Sequence, residues 1–253
     1  TGVQTCALPI LKKAGKDVTL IARGEHLKKI QKQGLTLEKM WDKTEENISI
    51  PATDMEHYAE HPDVIFVCVK GYSLQETIPF IKRIARKNTI VIPLLNIYGT
   101  GGKMQKELPD LLVTDGCIYV SANIKEPGKL LQHGQILHIV FGVRDKAEFR
   151  PELKEIQKDL CDSHIDGTLS ENIRREALEK FSYVSPIGAA GLYYHATAAD
   201  FQKEGEAREL FKTMIKEIAA LAEAMGVPFQ KDMAEVNLKI LSNLAPEATT
   251  SMQ

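Results

Sequence analysis

From Asp17 to about Gly142, short apolar runs alternate with amphipathic stretches. Leu11-Lys12-Lys13-Ala14-Gly15-Lys16 reads as the end of a helix, with Gly15 as its stop, and Asp17 to Ala22 follows at once as a strand. Asp63-Val64-Ile65-Phe66-Val67-Cys68-Val69 is continuously apolar, the pattern of a strand buried on both faces. Ser73 to Arg86 sets Leu74, Ile78 and Ile81 along one side of a helix, and Thr89 to Leu95 is a second buried strand. Further β-rich sequence covers Ile118 to Ser121 and Ile136 to Phe141. Strands alternating with helices imply an α/β fold with a Rossmann-type parallel sheet.

After about Leu169 the pattern turns wholly helical. Ala207, Leu210, Phe211, Met214, Ile215, Ile218, Leu221 and Ala222 keep the 3.6-residue period, and Gly226-Val227-Pro228 stops that helix. Another helix is expected over Lys231 to Leu241. Asp162 to Gly167 is rich in turn formers, so the boundary is set there. The expected division is a Rossmann-type dinucleotide domain over 11–166 and an incomplete all-helical domain over 167–253.

Residues 1–10 stand apart. A Rossmann-type chain opens with an apolar strand, a glycine-rich turn and a helix. Here the first strand and the Gly-rich loop are missing, and Thr1-Gly2-Val3-Gln4-Thr5-Cys6-Ala7-Leu8-Pro9-Ile10 stands in their place. Pro9 is expected to interrupt the helix to which Leu11 belongs. One codon choice for the segment, ACT GGA GTT CAG ACG TGT GCT CTT CCG ATC, resembles a sequencing-adapter oligonucleotide. The ten residues therefore read as translated adapter joined to a reading frame truncated at both ends.

Composition narrows the function. The chain has 253 residues, 43% hydrophobic and 26% charged, enough for two packed cores. A net charge of -2 gives no reason to expect nucleic acid or an anionic membrane as partner. No apolar run reaches the roughly eighteen residues of a membrane span, and the start lacks the features of a signal peptide. Cys6, Cys68, Cys117 and Cys161 are far apart and read as reduced thiols of a cytoplasmic protein. The seven His show no metal-ligand spacing, so no metal is expected.

Three positions invite chemistry. Arg23 follows the strand that ends at Ala22. NAD-preferring enzymes place a carboxylate there for the ribose hydroxyls, whereas a guanidinium can take a 2′-phosphate through paired hydrogen bonds. A solvated arginine before a helix is the plainer reading. Lys70 and Asn96 each follow a buried strand at its carboxyl end, the ligand side of such a sheet; the plainer readings are a solubilising lysine and a turn-opening asparagine. Asn96 can donate to one group and accept from another.

Six segments, in order and spacing, resemble the ketopantoate reductase (2-dehydropantoate 2-reductase) family. They are Val18 to Gly24, Val67-Cys68-Val69-Lys70, Pro93-Leu94-Leu95-Asn96, Glu126-Pro127-Gly128 with His133-Gly134, Glu179-Lys180-Phe181, and Thr250-Ser251-Met252. The resemblance implies Arg23, Lys70 and Asn96 on the cofactor NADPH. It implies Asn96 and Ser251 on substrate and Lys180 as the catalytic acid. A lysine, with an ordinary pKa of about 10.4, can supply both field and proton to a developing alkoxide.

The chain also departs from the family pattern. Asn-Gly is usual where Asn96-Ile97-Tyr98-Gly99 stands. Asn is usual four and eight positions after the lysine, where Val184 and Gly188 stand, with Ser185 nearby as a substitute substrate contact. The family's downstream glutamate would fall beyond Gln253, and Glu217 reads as structural. The resemblance implies reduction of a small molecule, 2-dehydropantoate, to pantoate in pantothenate synthesis, with a homodimer as candidate assembly. The chain as given is expected to bind NADPH poorly and turn over little. Two other readings stay open: a sibling reductase of another branched 2-oxo acid, and a non-catalytic binding protein on the same scaffold.

Overall fold

The computed structural model describes residues 7–249. Its first helix, α1 (Ala7–Lys13), closes where Gly15 takes φ +83° and Lys16 N–H donates to Leu11 O at 3.1 Å. Pro9 does not interrupt it. It lies in the first turn, where backbone amides have no partner within the helix, so the missing N–H costs nothing. Residues 7–10 belong to this helix, and Ala7 and Pro9 are buried.

Strand β1 (Leu20–Ile21) leads into α2 (Gly24–Gln33), and the hairpin β2 (Leu35–Lys39) and β3 (Thr44–Ile48) follows. Gly34 links α2 to β2 at φ +79°. Next, β4 (Ala52–Thr53) returns to pair in parallel with β1. Strand β5 (Val64–Val67), helix α3 (Leu74–Ile84), β6 (Ile90–Pro93), α4 (Thr100–Glu107) and β7 (Leu112–Val113) make a second parallel group, ordered β5-β6-β7. In β6 all four residues are buried, as the sequence implies. In β5 only Val67 is; Val64, Ile65 and Phe66 are half-buried because a cavity borders them.

The sheet is not parallel throughout. Strands β8 (Asp115–Glu126) and β9 (Lys129–Gly142) form a long antiparallel hairpin that turns at Pro127-Gly128, with Gly128 at φ +82°. On its outer side β9 pairs in parallel with β2 and with β10 (Asp166–Leu169), which follows α5 (Glu152–Asp162). The core beneath joins Ile90, Ile92 and Leu94 to Ile139, Phe141 and Leu160. Phe141 is fully buried, and truncating such a side chain costs about 3–5 kcal/mol.

The chain divides into two compact units, 1–173 and 174–253. The division falls beyond the turn at 162–167 because β10 is held in the first unit's sheet by β9. The second unit is helical: α6 (Ile173–Tyr194), α7 (Ala198–Gln202), α8 (Glu206–Ala224) and α9 (Met233–Ser242). Helix α8 buries Ala207, Phe211, Ile215, Ile218 and Ala222 of the expected stripe; Leu210 and Met214 on its flanks are half-buried, and Leu221 is 47% exposed. It closes with Gly226 at φ +69° and Val227 N–H on Ala222 O at 2.9 Å. Asp232 caps α9 by accepting from Ala234 N–H at 2.8 Å, a contribution of about 1 kcal/mol.

Candidate functional site

The candidate cofactor residues gather at the carboxyl ends of the parallel strands. Ala22 N–H still pairs with Thr53 O at 2.9 Å, so the strand register holds up to Arg23, which stands in front of α2 with φ -145° and ψ 162°. Its side chain is exposed, and its Nη1 lies 3.5 Å from Oε2 of Glu76 in the first turn of α3. Lys70 follows β5 and opens a single turn of 3-10 helix, Gly71–Ser73. Asn96 follows β6, the parallel neighbour of β5, with Val67 opposite Pro93. The two turns are in contact: a Cβ on Gly71 would collide with Cδ1 of Ile97. Gly99 then takes φ +73° and admits the chain to α4.

A cavity of about 780 Å³ lies in the first unit, and both Arg23 and Lys70 line it, as do His26, Tyr72 and Glu76. Tyr72, on the turn after Lys70, is 81% exposed. Two cationic side chains at strand ends, beside a large cavity, fit the phosphates of a dinucleotide. The Glu76 carboxylate beside Arg23 tempers that fit, since it competes for the same guanidinium. His26 accepts the Gly128 N–H on Nδ1 at 2.9 Å, and burial pushes its imidazole below its ordinary pKa.

The remaining described candidates are on α6 in the second unit. Lys180 and Ser185 are both half-buried there. Val184 and Gly188 continue the Lys180 face at four-residue spacing. Burial raises the Glu179 carboxyl above its ordinary range, and Arg175 at 4.0 Å pulls the other way. Burial also raises the Tyr183 phenol, whose ring meets Phe211 edge-on at 6.3 Å. Beneath this face Asn237 of α9 donates to the Ser182 hydroxyl at 3.1 Å, and Ser182 donates to Glu179 O at 2.7 Å. Ser251 lies outside the described residues. Glu217 is exposed on α8.

Arg23 and Lys70 thus line one cavity of the first unit, Asn96 follows the neighbouring β6 without lining it, and Lys180 and Ser185 share one helix of the second. The sequence reading missed Glu76, His26 and the Ser182–Asn237 pair. An acid in a first helical turn reads only as a complement to the helix dipole. Nothing local in the sequence ties His26 to Gly128, 102 positions away. Asn237 carried one signal, a polar residue on the apolar side of its helix.

The fold defines the class: a Rossmann-type unit with a largely parallel sheet, joined to an all-helical unit. The profile of "Ketopantoate reductase PanE/ApbA" matches residues 5–146, and that of its C-terminal domain matches 172–253. The chain belongs to the ketopantoate reductase family, whose members are NAD(P)-dependent oxidoreductases acting on 2-oxo acids. A curated relative, 2-dehydropantoate 2-reductase of Pyrococcus horikoshii, is 26% identical over 249 residues, covering 96% of this chain and 78% of its own. The crystal structure of a PanE/ApbA family ketopantoate reductase from Ralstonia eutropha JMP134 superposes with a TM-score of 0.85 at 21% identity, covering 99% of this chain and 80% of that one. The ternary structure of D-mandelate dehydrogenase with NADH and anilino(oxo)acetate superposes at 0.84 with 19% identity, covering 99% and 81%.

Proposed function

We propose that this protein reduces 2-dehydropantoate to pantoate with NADPH, in pantothenate synthesis. The observation that carries the reading is Arg23: a guanidinium one residue past a β1 backbone hydrogen bond, beside a large cavity it shares with Lys70. Arg23 takes the 2′-phosphate by paired hydrogen bonds, and Lys70 adds a point charge for the remaining phosphates. NADPH, when bound, supplies the hydride. Asn96, at the same sheet edge, bridges cofactor and substrate through its amide. Lys180 delivers a proton from Nζ to the carbonyl oxygen, which becomes the product hydroxyl. Ser185 and Ser251 position the substrate. The setting assigned is the cytoplasm, with a small molecule as the only partner besides a second copy in a homodimer. Among the described residues no helix is long and apolar enough to cross a membrane.

A second reading has its own observation. Val184 and Gly188 occupy the Lys180 face without a polar side chain to meet a substrate hydroxyl. That favours a 2-oxo acid with a more apolar substituent, in line with the D-mandelate dehydrogenase likeness. NADPH oxidation separates the two readings, with 2-dehydropantoate run beside aryl and branched 2-oxo acids. Turnover of 2-dehydropantoate that falls about 10²–10⁴-fold in Lys180→Ala supports the first reading. Turnover of an apolar 2-oxo acid alone supports the second. A folded, NADPH-binding protein that reduces none of them overturns both.

A further inference from the structure

The turn of the β2–β3 hairpin brings together side chains that no role assigned above uses. Met40 follows β2, and its N–H donates to Gln132 O of β9 at 3.0 Å. The next residue of β9, His133, opens a bulge in which residues 133–136 stand opposite Ser121 of β8. Bulges re-aim side chains, and here the imidazole is turned to the hairpin. Met40 Sδ lies 3.0 Å from His133 Nδ1. The other ring nitrogen, Nε2, lies 2.5 Å from Oδ1 of Asn123 on β8. Met40 and His133 are both exposed, Met40 at 52%. The atoms come from three separate stretches of chain, so no local spacing in the sequence announces them.

An amide oxygen only accepts, so Nε2 carries the proton of the neutral ring and donates it to Asn123, and Nδ1 is left bare. The thioether sulfur has no proton to give either. Two lone pairs therefore face each other, a contact that a cation between them resolves. This is the arrangement of a metal-binding histidine: one bare nitrogen aimed at a second donor, the opposite N–H fixed by a carbonyl oxygen. The donors define the ion. Thioether with imidazole suits Cu(I), whereas Mg²⁺ and Ca²⁺ require oxygen. Among the described residues no group of three or more His, Cys, Asp or Glu is placed to hold a metal ion, which leaves no closed tetrahedral zinc site. Lys39, whose Nζ is 5.9 Å from the Trp41 ring centroid, adds positive charge to the turn and favours a singly charged ion. The unbranched side chain of Met40 can draw back to admit it.

We propose that Met40 Sδ and His133 Nδ1 bind a soft monovalent ion of the Cu(I) class, with Asn123 holding the histidine in the tautomer that leaves Nδ1 bare. None of the three residues lines the cavity that Arg23 and Lys70 share. The site therefore stands apart from the proposed reductase activity, and neither reading depends on the other.

The test uses the 253-residue chain with ¹³C in its methionine methyl groups and Ag(I) as the probe, an ion of the same charge and softness that air does not oxidise. Cysteine thiols take Ag(I) too, but each methyl signal reads only its own sulfur. Met40→Leu identifies the Met40 signal among those of the seven methionines. That signal should shift saturably, at lower Ag(I) than any other methionine. His133→Gln and Asn123→Ala should each raise the Ag(I) needed by about tenfold or more, the first by removing a ligand and the second by freeing the tautomer. Zn²⁺ at the same concentrations should leave the signal in place. The remaining methyl signals show whether each variant is folded. A Met40 signal that Ag(I) never moves overturns the proposal and leaves a proton as what separates sulfur from ring. An unchanged titration in folded His133→Gln overturns it as well, since any exposed thioether would then do. So does an equal response to Zn²⁺, which would remove the selectivity for a soft ion.

Discussion

Arg23 and Glu76 face each other across 3.5 Å, the guanidinium from the end of β1 and the carboxylate from the first turn of α3. Both are more than half exposed, and a pair of this kind is worth about 0–1 kcal/mol. That is small for stability but sufficient to bias a ligand that needs the same guanidinium. Glu76→Gln releases Arg23 and should raise the preference for a 2′-phosphate by up to about fivefold. Arg23→Ala should lower it. The ratio of dissociation constants for 2′,5′-ADP and 5′-ADP reads both changes, and a ratio unmoved by either variant would remove Arg23 from the cofactor site.

His26 gives the first unit a pH dependence of defined sign. Its Nδ1 accepts the Gly128 N–H, which needs a neutral imidazole, and burial depresses its pKa below the ordinary 6.5. A depressed folded pKa means that stability is fully present above the unfolded value and is lost as pH falls through the folded one. His57 works in the opposite direction, raised by its hydrogen bond to Asp54. The difference between wild type and His26→Gln isolates the first effect, since Gln keeps an acceptor but does not titrate. Urea midpoints should show the wild type losing ground to the variant as pH falls from 7.5 to 5. Parallel curves would show that His26 does not titrate differently on folding.

Much of the scaffold was legible because it rests on local pattern. Gly15 and Gly226 stop helices with the positive φ that a glycine stop implies. The Phe211-Ile215-Ile218-Ala222 stripe and the run Ile90 to Pro93 are buried as their periods indicate. The missing parts depend on distant segments. The β2–β3 hairpin joins the sheet through β9, some ninety positions further on. The half-exposure of Val64 to Phe66 reflects what stands beside β5, which the run itself does not encode. Among the candidates, the strand-end positions of Arg23, Lys70 and Asn96 could be read from the sequence. Glu76 could not, and Asn237 only as a polar residue on an apolar helix side, because each acquires its partner from another element.

In the second unit a buried polar pair ties α9 to the helix that carries Lys180. Asn237 is 1% exposed and Ser182 fully buried. Asn237→Ala removes one neutral hydrogen bond and should cost about 1–2 kcal/mol in urea unfolding at pH 8. Asn237→Asp should cost more at that pH, since it buries a carboxylate, and its deficit should shrink on acidification as the carboxyl protonates. Equal losses at both pH values would mean that position 237 is reached by water.

Helix α4 begins after the Asn96 turn, and two adjacent glycines in it carry opposite expectations. A Cβ on Gly101 would meet the Thr114 carbonyl carbon at 2.8 Å and would overlap Thr114 O and Asp115 Oδ1 more severely. Thr114 cannot retreat easily, because its N–H is held by Val91 O of β6 at 3.0 Å. Gly101→Ala should therefore destabilise the first unit by about 1–3 kcal/mol, the usual cost of overpacking. A Cβ on Gly102 meets only the Arg144 side chain, at an ordinary 3.9 Å. Gly102→Ala should instead stabilise by up to about 1 kcal/mol through helix propensity. Chemical denaturation of both variants compares them in one experiment. If they shifted in the same direction, the close approach of α4 to the β7–β8 connection would not hold, and the Asn96 turn that precedes α4 would lose its anchor.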